Sequence, residues 1–486
     1  NLDRIALICL AVQHASSSWG YRCAEFAFPL YFVALFPATL LPASIYGLLL
    51  LLASLFLSPL LGSWIDATKH RRLTVVRTLI VAQKTTVAIS YAGFISLLMT
   101  GSDSIVSHTR WGSFAALTAC GALVVLSNTG LTVAIERDWV STIAEGHPPH
   151  LTRLNTIIRR IDLLSKLLAP LFVSLLTSTA GDGISAVVLL ATNGMTLVFE
   201  LIWIGVVYQR FAERLSYPAP DANGNHMRFG GRTPLASLRQ CWPSFKNKTR
   251  TFLALPTLPT TIALALLYTS VLSFDSTFLT YLKQPHAAAS GIVAKTNGII
   301  IAHSGGSTIS YTDAFISGMR GLCVVMGLAG TFIMPCLERR IGLIRTGSWS
   351  LAQETLSLVP TVTCLYIGVG LGWNTALLFT GLALSRIGLW SYDLTQLSIL
   401  QNSLYGNANA NFHFAMQQSL INLFDLSHFV LTLVWSKPDD FRKPATVSLG
   451  LLGAAWFVYI LGYARKQRGH LLHLEGWQRL LPGKER

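Results

Sequence analysis

Long apolar runs separated by short polar breaks fill this chain from its start to about residue 465. A helix needs about 20 apolar residues to cross a bilayer, and it satisfies its own backbone where no water reaches. Twelve such runs can be marked, at 5–36, 42–63, 73–100, 112–136, 152–178, 184–208, 251–282, 311–337, 344–370, 374–400, 411–436 and 445–464. A β-barrel would show short alternating segments instead. The first run is too long for one straight span, and Gly20 is the expected break. A polar, Pro- and Gly-rich segment at 209–250 divides the runs six and six. The pattern therefore predicts a first six-helix half at 1–208, a linker at 209–250, a second six-helix half at 251–465 and a basic tail at 466–486.

The expected fold class is an all-α membrane protein with twelve transmembrane helices in two six-helix halves. That layout is the one found in the major facilitator superfamily. Within the linker, residues 234–245 read equally well as a surface amphipathic helix or as a tether. A second polar insertion, 283–310, carries His286 and His303 among Gly, Ser and Ala with no paired carboxylate, which favours a solvated loop over a metal site.

Composition agrees with the pattern. The chain is 52% hydrophobic and 12% charged with a mean hydropathy of +0.51, where soluble domains carry about a quarter charged residues. The net charge of +15 suggests nucleic acid at first sight. Its distribution excludes that partner. Lys69, Arg71 and Arg72, the basic residues of 209–250, Arg339, Arg340 and Arg345, and the tail all follow even-numbered spans. This is the positive-inside distribution. It predicts cytoplasmic termini for a protein integral to the plasma membrane or an endomembrane, with the lipid bilayer as its surroundings. No cleavable signal peptide is evident, and the start at Asn1 is read as a trimmed end. The seven cysteines are scattered without a C-x-x-C pair, so neither a disulfide framework nor a zinc site is expected. No G-x-x-x-x-G-K-[ST] or H-E-x-x-H motif appears, so the chain reads as a non-enzyme without a prosthetic group.

Ionisable residues at membrane depth are expensive and usually face a protein interior or a watery cavity. Asp425 and His428 lie three residues apart in MQQSLINLFDLSHFVLTLVW (416–435), on one helix face. A carboxylate and an imidazole together can hold a divalent metal or relay protons. They can also simply lock two helices together. The connection GSWIDATKHRR (62–72) offers Gly62 for close helix packing, Asp66 as a cap, and Arg72 with its basic neighbours for helix-end carbonyls and acids. Such a network would hold one side of a transporter closed, while plain positive-inside anchoring is the simpler alternative. On span six, Asn193, Thr196 and Glu200 form a polar stripe that either lines a cavity or joins helices.

Several blocks resemble the ferroportins, the solute carrier 40 iron exporters. They are ERDWVSTIAEG (136–146), LNTIIRRIDLLSKLLAP (154–170), VLSFDSTFLTYL (271–282), SRIGLWSYDLTQLSILQ (385–401) and LFDLSHF (423–429), in the family's order and across both halves. The resemblance implies alternating access and Fe2+ as a transported substrate, moved out of the cytosol with coupling to protons. It also implies two metal sites. In the second half the family pairs a Cys in a broken seventh helix with a His in the eleventh. Here that His is His428, preceded by Asp425, and the Cys position holds Ser276, a harder and weaker ligand. In the first half the family's WGDRxxHF becomes WGYRCAEF (19–26), so Tyr21 and Glu25 replace the ligands and Arg22 stays. Glu25 either binds a cation or pairs with an arginine. The resemblance places Arg137, Asp138, Asn155, Arg159 and Asp162 in a gating network, and Asp275 beside Ser276 inside span seven. With serine at the cysteine position, control by the peptide hormone hepcidin is not expected, and a monomer is. The alternatives in function are transport of another divalent metal such as Co2+, Ni2+ or Mn2+, or a non-transporting membrane scaffold with a decayed metal site.

Overall fold

The computed structural model describes residues 4–36, 41–99, 107–215, 245–273, 278, 282, 286–287, 308–309, 313–367, 372–435 and 440–468. The first helices are α1 (Arg4–Leu35), α2 (Leu41–Ala67) and α3 (Arg72–Met99), the last entered through a tight turn at Lys69–Arg71. Next comes α4 (Ser107–Leu131), which widens into a π-helical segment (Thr132–Trp139) before α5 (Val140–Ala144). Then follow α6 (Pro148–Ala180), α7 (Asp182–Arg210), the short α8 (Ala212–Leu215) and α9 (Phe245–Leu253). The remaining long helices are α10 (Leu258–Tyr268), α11 (Asp313–Ile341), α12 (Leu343–Ile367), α13 (Gly372–Leu404), α14 (Ala410–Val434) and α15 (Arg442–Tyr459). The chain continues through a second π-helical segment, Ile460–Ala464.

By length and composition, seven of these helices can cross a membrane, or up to eight if α9 and α10 make one broken span. Among the described residues fewer than the expected twelve pass on length and apolarity alone. α1 and α13 show the reason. The first carries Gln13, His14, Arg22 and Glu25, and the second carries Arg386, Asp393 and Gln396, so neither is uniformly apolar. The insertion at 283–310 contains a small antiparallel ribbon pairing His286 with Ile309 and Ala287 with Thr308. His303 and the 234–244 stretch lie outside the described residues.

Two compact units emerge. One is Asn1–Leu255 with Gln401–Asn422, the other Pro256–Leu400 with Leu423–Arg486. Residues 401–422 thus group with the first unit rather than with the rest of 251–465. One cause is Gly62, where a Cβ would lie 2.5 Å from the Asn411 carbonyl oxygen, so only a bare backbone permits this approach.

In the first unit α1 packs on α6 and α7, α3 on α4 and α7, and α2 on α4. Lipid tails are as apolar as leucine, so shape and polar contacts, not the hydrophobic effect, hold such helices together. Shape comes from an aromatic cluster. Phe28 meets Tyr91 edge-on at 5.1 Å, and Phe32 meets Phe94 edge-on at 5.0 Å. Tyr31, fully buried, also shares a 2.8 Å hydrogen bond with Ser185. The polar contact is an ion pair of Lys84 with Glu200 at 2.9 Å, whose side chains are 2% and 0% exposed. Ser16 donates to the same carboxylate oxygen at 2.9 Å, and Lys84 also donates to Thr196 at 3.1 Å. Asn193 donates to the Lys84 carbonyl at 2.9 Å. The stripe on α7 therefore joins α7 to α3 and α1.

Gly20 does not break α1, which runs unbroken from Arg4 to Leu35. A Cβ at Gly20 would stand 2.8 Å from Lys84 Nζ, so the glycine makes room for the ammonium group.

In the second unit α12 and α10 both pack on α15. Two tyrosines, one on α13 and one on α15, tie these helices together. Tyr392 donates to the Thr260 carbonyl and Tyr459 to the Ile344 carbonyl, each at 2.9 Å, and their rings meet edge-on at 5.5 Å.

Removing one partner of a buried ion pair costs about 3–5 kcal/mol, whereas replacing both with apolar groups is often neutral. Glu200→Ala is therefore expected to lower the thermal midpoint of the detergent-solubilised protein, and Lys84→Met with Glu200→Leu to recover most of the loss. A double variant as unstable as the single one would show that the pair is not what holds these helices.

Candidate metal centre

His14 and Ser18 stand one turn apart on α1, and Arg159 and Asp162 stand one turn apart on α6. These two faces meet. His14 Nε2 lies 3.2 Å from Asp162 Oδ1, and Ser18 Oγ donates to that same oxygen at 2.8 Å. The other carboxylate oxygen, Oδ2, faces Arg159 Nη1 at 3.6 Å. A third element, the π-helical segment after α4, adds Glu136, whose carboxylate accepts a hydrogen bond from Thr132 at 3.0 Å.

Ligand atoms of His14, Glu136 and Asp162 all lie within 4.8 Å of one another. Donors about 2.1 Å from a shared octahedral metal stand about 3.0–4.2 Å apart, so shortening the widest separations by up to about 2 Å makes a site. One imidazole nitrogen with two carboxylates suits first-row divalent metals. Ser18 and Thr132 would orient the carboxylates from behind, as outer-shell groups do at metal sites.

A π-helical turn is uncommon, and such turns concentrate at functional sites. Here it carries three consecutive charged residues with separate partners. Glu136 joins the cluster. Arg137 donates to the Phe414 carbonyl at 2.7 Å, to Gln417 at 3.2 Å and to Gln418 at 3.3 Å. Asp138 pairs with Arg72 Nε at 3.1 Å.

The remaining network residues sit nearby in the same unit. Asp66 caps the start of α14, accepting from the backbone N–H groups of Asn411 at 3.1 Å and Phe412 at 2.8 Å, and pairs with Lys69 at 3.3 Å. Lys69 in turn donates to the carbonyls of Asn407 at 3.1 Å and Ala408 at 3.3 Å. Arg72 also donates to the Leu215 carbonyl and to Thr142. Asn155 donates to Gln401 at 2.7 Å, and Gln401 donates to the Glu136 carbonyl at 3.0 Å. The metal cluster and this network are thus continuous through one turn of backbone.

Glu25 is not among the clustered ligands. Its side chain is 48% exposed and pairs with Arg22 at 2.6 Å, which is the arginine-paired alternative. Cys23 is buried on a different face from Glu25, as their spacing requires. Asp425 is half-buried on α14. The His428 side chain, Asp275 and Ser276 lie outside the described residues.

Sequence reasoning singled out Asp162 and Arg159 but passed over His14 and Glu136. Their signal was present. His14 is an ionisable residue inside an apolar run, five residues before Trp19, and Glu136 directly precedes the Arg137–Asp138 pair.

Comparison with known proteins follows the same lines. Residues 4–304 and 296–452 match the family model described as Ferroportin1 (FPN1). Solute carrier family 40 member 1 of Oryza sativa subsp. japonica is 29% identical over 495 residues, covering 99% of this chain and 94% of that protein. Ferroportin of Homo sapiens is 24% identical over 553 residues, covering 93% and 90%. Among solved structures, a bacterial homologue of the iron transporter ferroportin in an outward-facing state matches with a TM-score of 0.75 at 22% identity, over 94% of this chain and 99% of that one. The major facilitator superfamily transporter FucP matches with a TM-score of 0.58 at 12% identity, over 94% and 98%. With its family model spanning both halves and its helices in the major facilitator arrangement, this integral membrane protein belongs to the ferroportin family.

Proposed function

We propose that this chain is a divalent-metal transporter that exports Fe2+ by alternating access, with His14, Glu136 and Asp162 as the metal stop of its first half. The observation that carries the reading is the meeting of an imidazole and two carboxylates, with ligand atoms within 4.8 Å, inside helices of a membrane protein. Charges are costly at that depth, and an ion or proton pathway is among the reasons to place them there. The relatives named as ferroportins, and the bacterial homologue of an iron transporter, support the choice of metal.

The chemistry follows from the donors. An incoming ion exchanges part of its water shell for His14 Nε2 and one oxygen each from Glu136 and Asp162. The imidazole must be neutral to donate its lone pair, so protons and metal compete for it. That competition is the proposed link to protons. The second-half stop is proposed at Asp425 and His428 with Ser276, where a hydroxyl takes the place of the family's sulfur. The hydrogen bonds of Asp66, Lys69, Arg72, Arg137 and Asn155 with each other's neighbours and with residues 401–418 support a role as the closure on one side of the cavity. On this reading the protein is a transporter rather than an enzyme, works as a monomer, needs no prosthetic group and has both termini in the cytoplasm.

Three outcomes are expected. Asp162→Asn and His14→Ala should each weaken Co2+ binding by calorimetry at least about ten-fold, as loss of a ligand does; full affinity in both would remove the metal from this place. Lowering the pH should weaken Co2+ binding to the intact protein, and the dependence should flatten in His14→Gln. A slope unchanged by that substitution would put the competing proton elsewhere. In reconstituted vesicles His428→Ala should strongly reduce Co2+ and Fe2+ flux at equal protein level, and undiminished flux would displace the second-half stop.

A further inference from the structure

Away from the metal centre, Arg77 is a cation on the outer face of the first unit. It stands on α3, whose span Lys69–Met99 has 31 residues. That is about 46 Å of helix, enough for the hydrocarbon and both headgroup layers. Arg77 lies about 12 Å from the basic end, near the boundary between headgroups and hydrocarbon. Its side chain is exposed, and among the described residues it has no ion pair or hydrogen bond. The guanidinium lies at the seam where α3 packs on α7. A Cβ at Gly205 of α7 would stand 2.8 Å from Arg77 Nη2, so the bare glycine leaves room for it.

The surface beside this seam changes character at the same height. On α7 the exposed residues run from Val198 and Ile202 to Arg210, and on α3 from Ile89 and Val81 to Thr74. Large apolar side chains left exposed on two neighbouring membrane helices face lipid tails. Gly205 and Arg77 occupy the step from apolar to polar, which is where lipid phosphates lie. An arginine at that depth needs a partner for its head at the interface. No carboxylate among the described residues supplies one, and a phosphate can. A guanidinium takes phosphate through two parallel N–H bonds. Arg210, about 7.5 Å further along α7 than Gly205, adds a second positive charge. Basic pockets between membrane helices hold anionic lipid headgroups in this way. A zwitterionic lipid brings its own ammonium group, which two cations repel.

We propose that the groove at Arg77 and Gly205 binds an anionic phospholipid, its phosphate on the Arg77 guanidinium and its chains along the exposed face of α7. On the proposed orientation this is the cytoplasmic leaflet, where anionic lipids concentrate. The lipid braces a joint. Arg77 and Lys84 are seven residues apart on one face of α3, so the phosphate closes the mouth of the seam that the Lys84–Glu200 pair holds further in. The site is separate from the metal centre on α1, α6 and the π-helical segment, and it holds whatever cargo the carrier takes.

The test uses the full chain, purified in detergent, with phosphatidylglycerol and phosphatidylcholine as probes. In native mass spectrometry the unaltered protein should retain phosphatidylglycerol in preference to phosphatidylcholine. Arg77→Gln should lose that preference and bind phosphatidylglycerol about ten-fold more weakly, as loss of a charged hydrogen-bond partner does. Gly205→Leu keeps every charge but fills the groove, and it should lose the lipid as well. Arg250→Gln removes an equal charge from another exposed position and should keep it. Added phosphatidylglycerol should raise the thermal midpoint of the unaltered protein and of Arg250→Gln but not of Arg77→Gln, since a ligand stabilises the state that holds it. Equal retention of the two lipids by the unaltered protein would overturn the proposal. So would undiminished binding in Arg77→Gln or in a folded Gly205→Leu. Equal losses in Arg77→Gln and Arg250→Gln would reduce the effect to the general pull of a basic surface and overturn it too. Should Gly205→Leu fold poorly, the comparison of Arg77→Gln with Arg250→Gln decides alone, because Arg77→Gln breaks no bond within the described protein.

Discussion

A carboxylate left bare in hydrocarbon is too costly to keep, and the first unit is organised around that constraint. Each acid buried there has a counter-charge or a set of donors. Glu200 has Lys84 and Ser16, and Asp162 has His14, Ser18 and Arg159. Asp66 has Lys69 and two backbone N–H groups, and Asp138 has Arg72. These pairings bring α1, α3, α6 and α7 together at defined heights, where a purely apolar bundle would have only shape to set its register. The acids differ in what surrounds them. Glu200 is matched by an ammonium group held on a neighbouring helix, which suits a permanent joint. Asp162 is shared among an imidazole, a hydroxyl and a more distant guanidinium, a looser arrangement that a metal can enter.

The π-helical segment ties that centre to the contacts around α14. Glu136, Arg137 and Asp138 are consecutive, so the backbone cannot shift one without the others. On the proposed function, drawing Glu136 inward would pull on the neighbours that hold Phe414, Gln417 and Arg72. This gives the proposed alternating access a physical connection between occupancy and closure, carried by covalent geometry over three residues.

Much of this was legible in the sequence. The helical class and the family are legible in the long apolar runs and in the ERDW, RRID and DLSHF blocks. Asp66 and Arg72 stand out from their place in the 62–72 connection, and Arg137 from the family resemblance. The centre was read only in part. The family resemblance points to WGYRCAEF, whereas His14 lies about one and a half turns earlier on the same helix. Glu136 required knowledge of the widened turn, and hydrophobic periodicity does not announce a π-helical segment. The length of the first apolar run marks Gly20 as a break, and glycine usually weakens a helix. Tertiary packing gives it a different task that only coordinates reveal.

That task has a consequence for how the chain can vary. The missing side chain at Gly20 is space used by the Lys84 ammonium, which is itself fixed by Glu200 and Thr196. A side chain at position 20 would push the Lys84 ammonium off its place beside Glu200, and shortening Lys84 would leave a hole and a buried carboxylate without its counter-charge. Three positions on three helices, 20, 84 and 200, are therefore bound into one heritable unit. Among descendants of this chain, substitutions there are expected to arrive in company, with a larger residue at 20 accompanied by the loss of both charges.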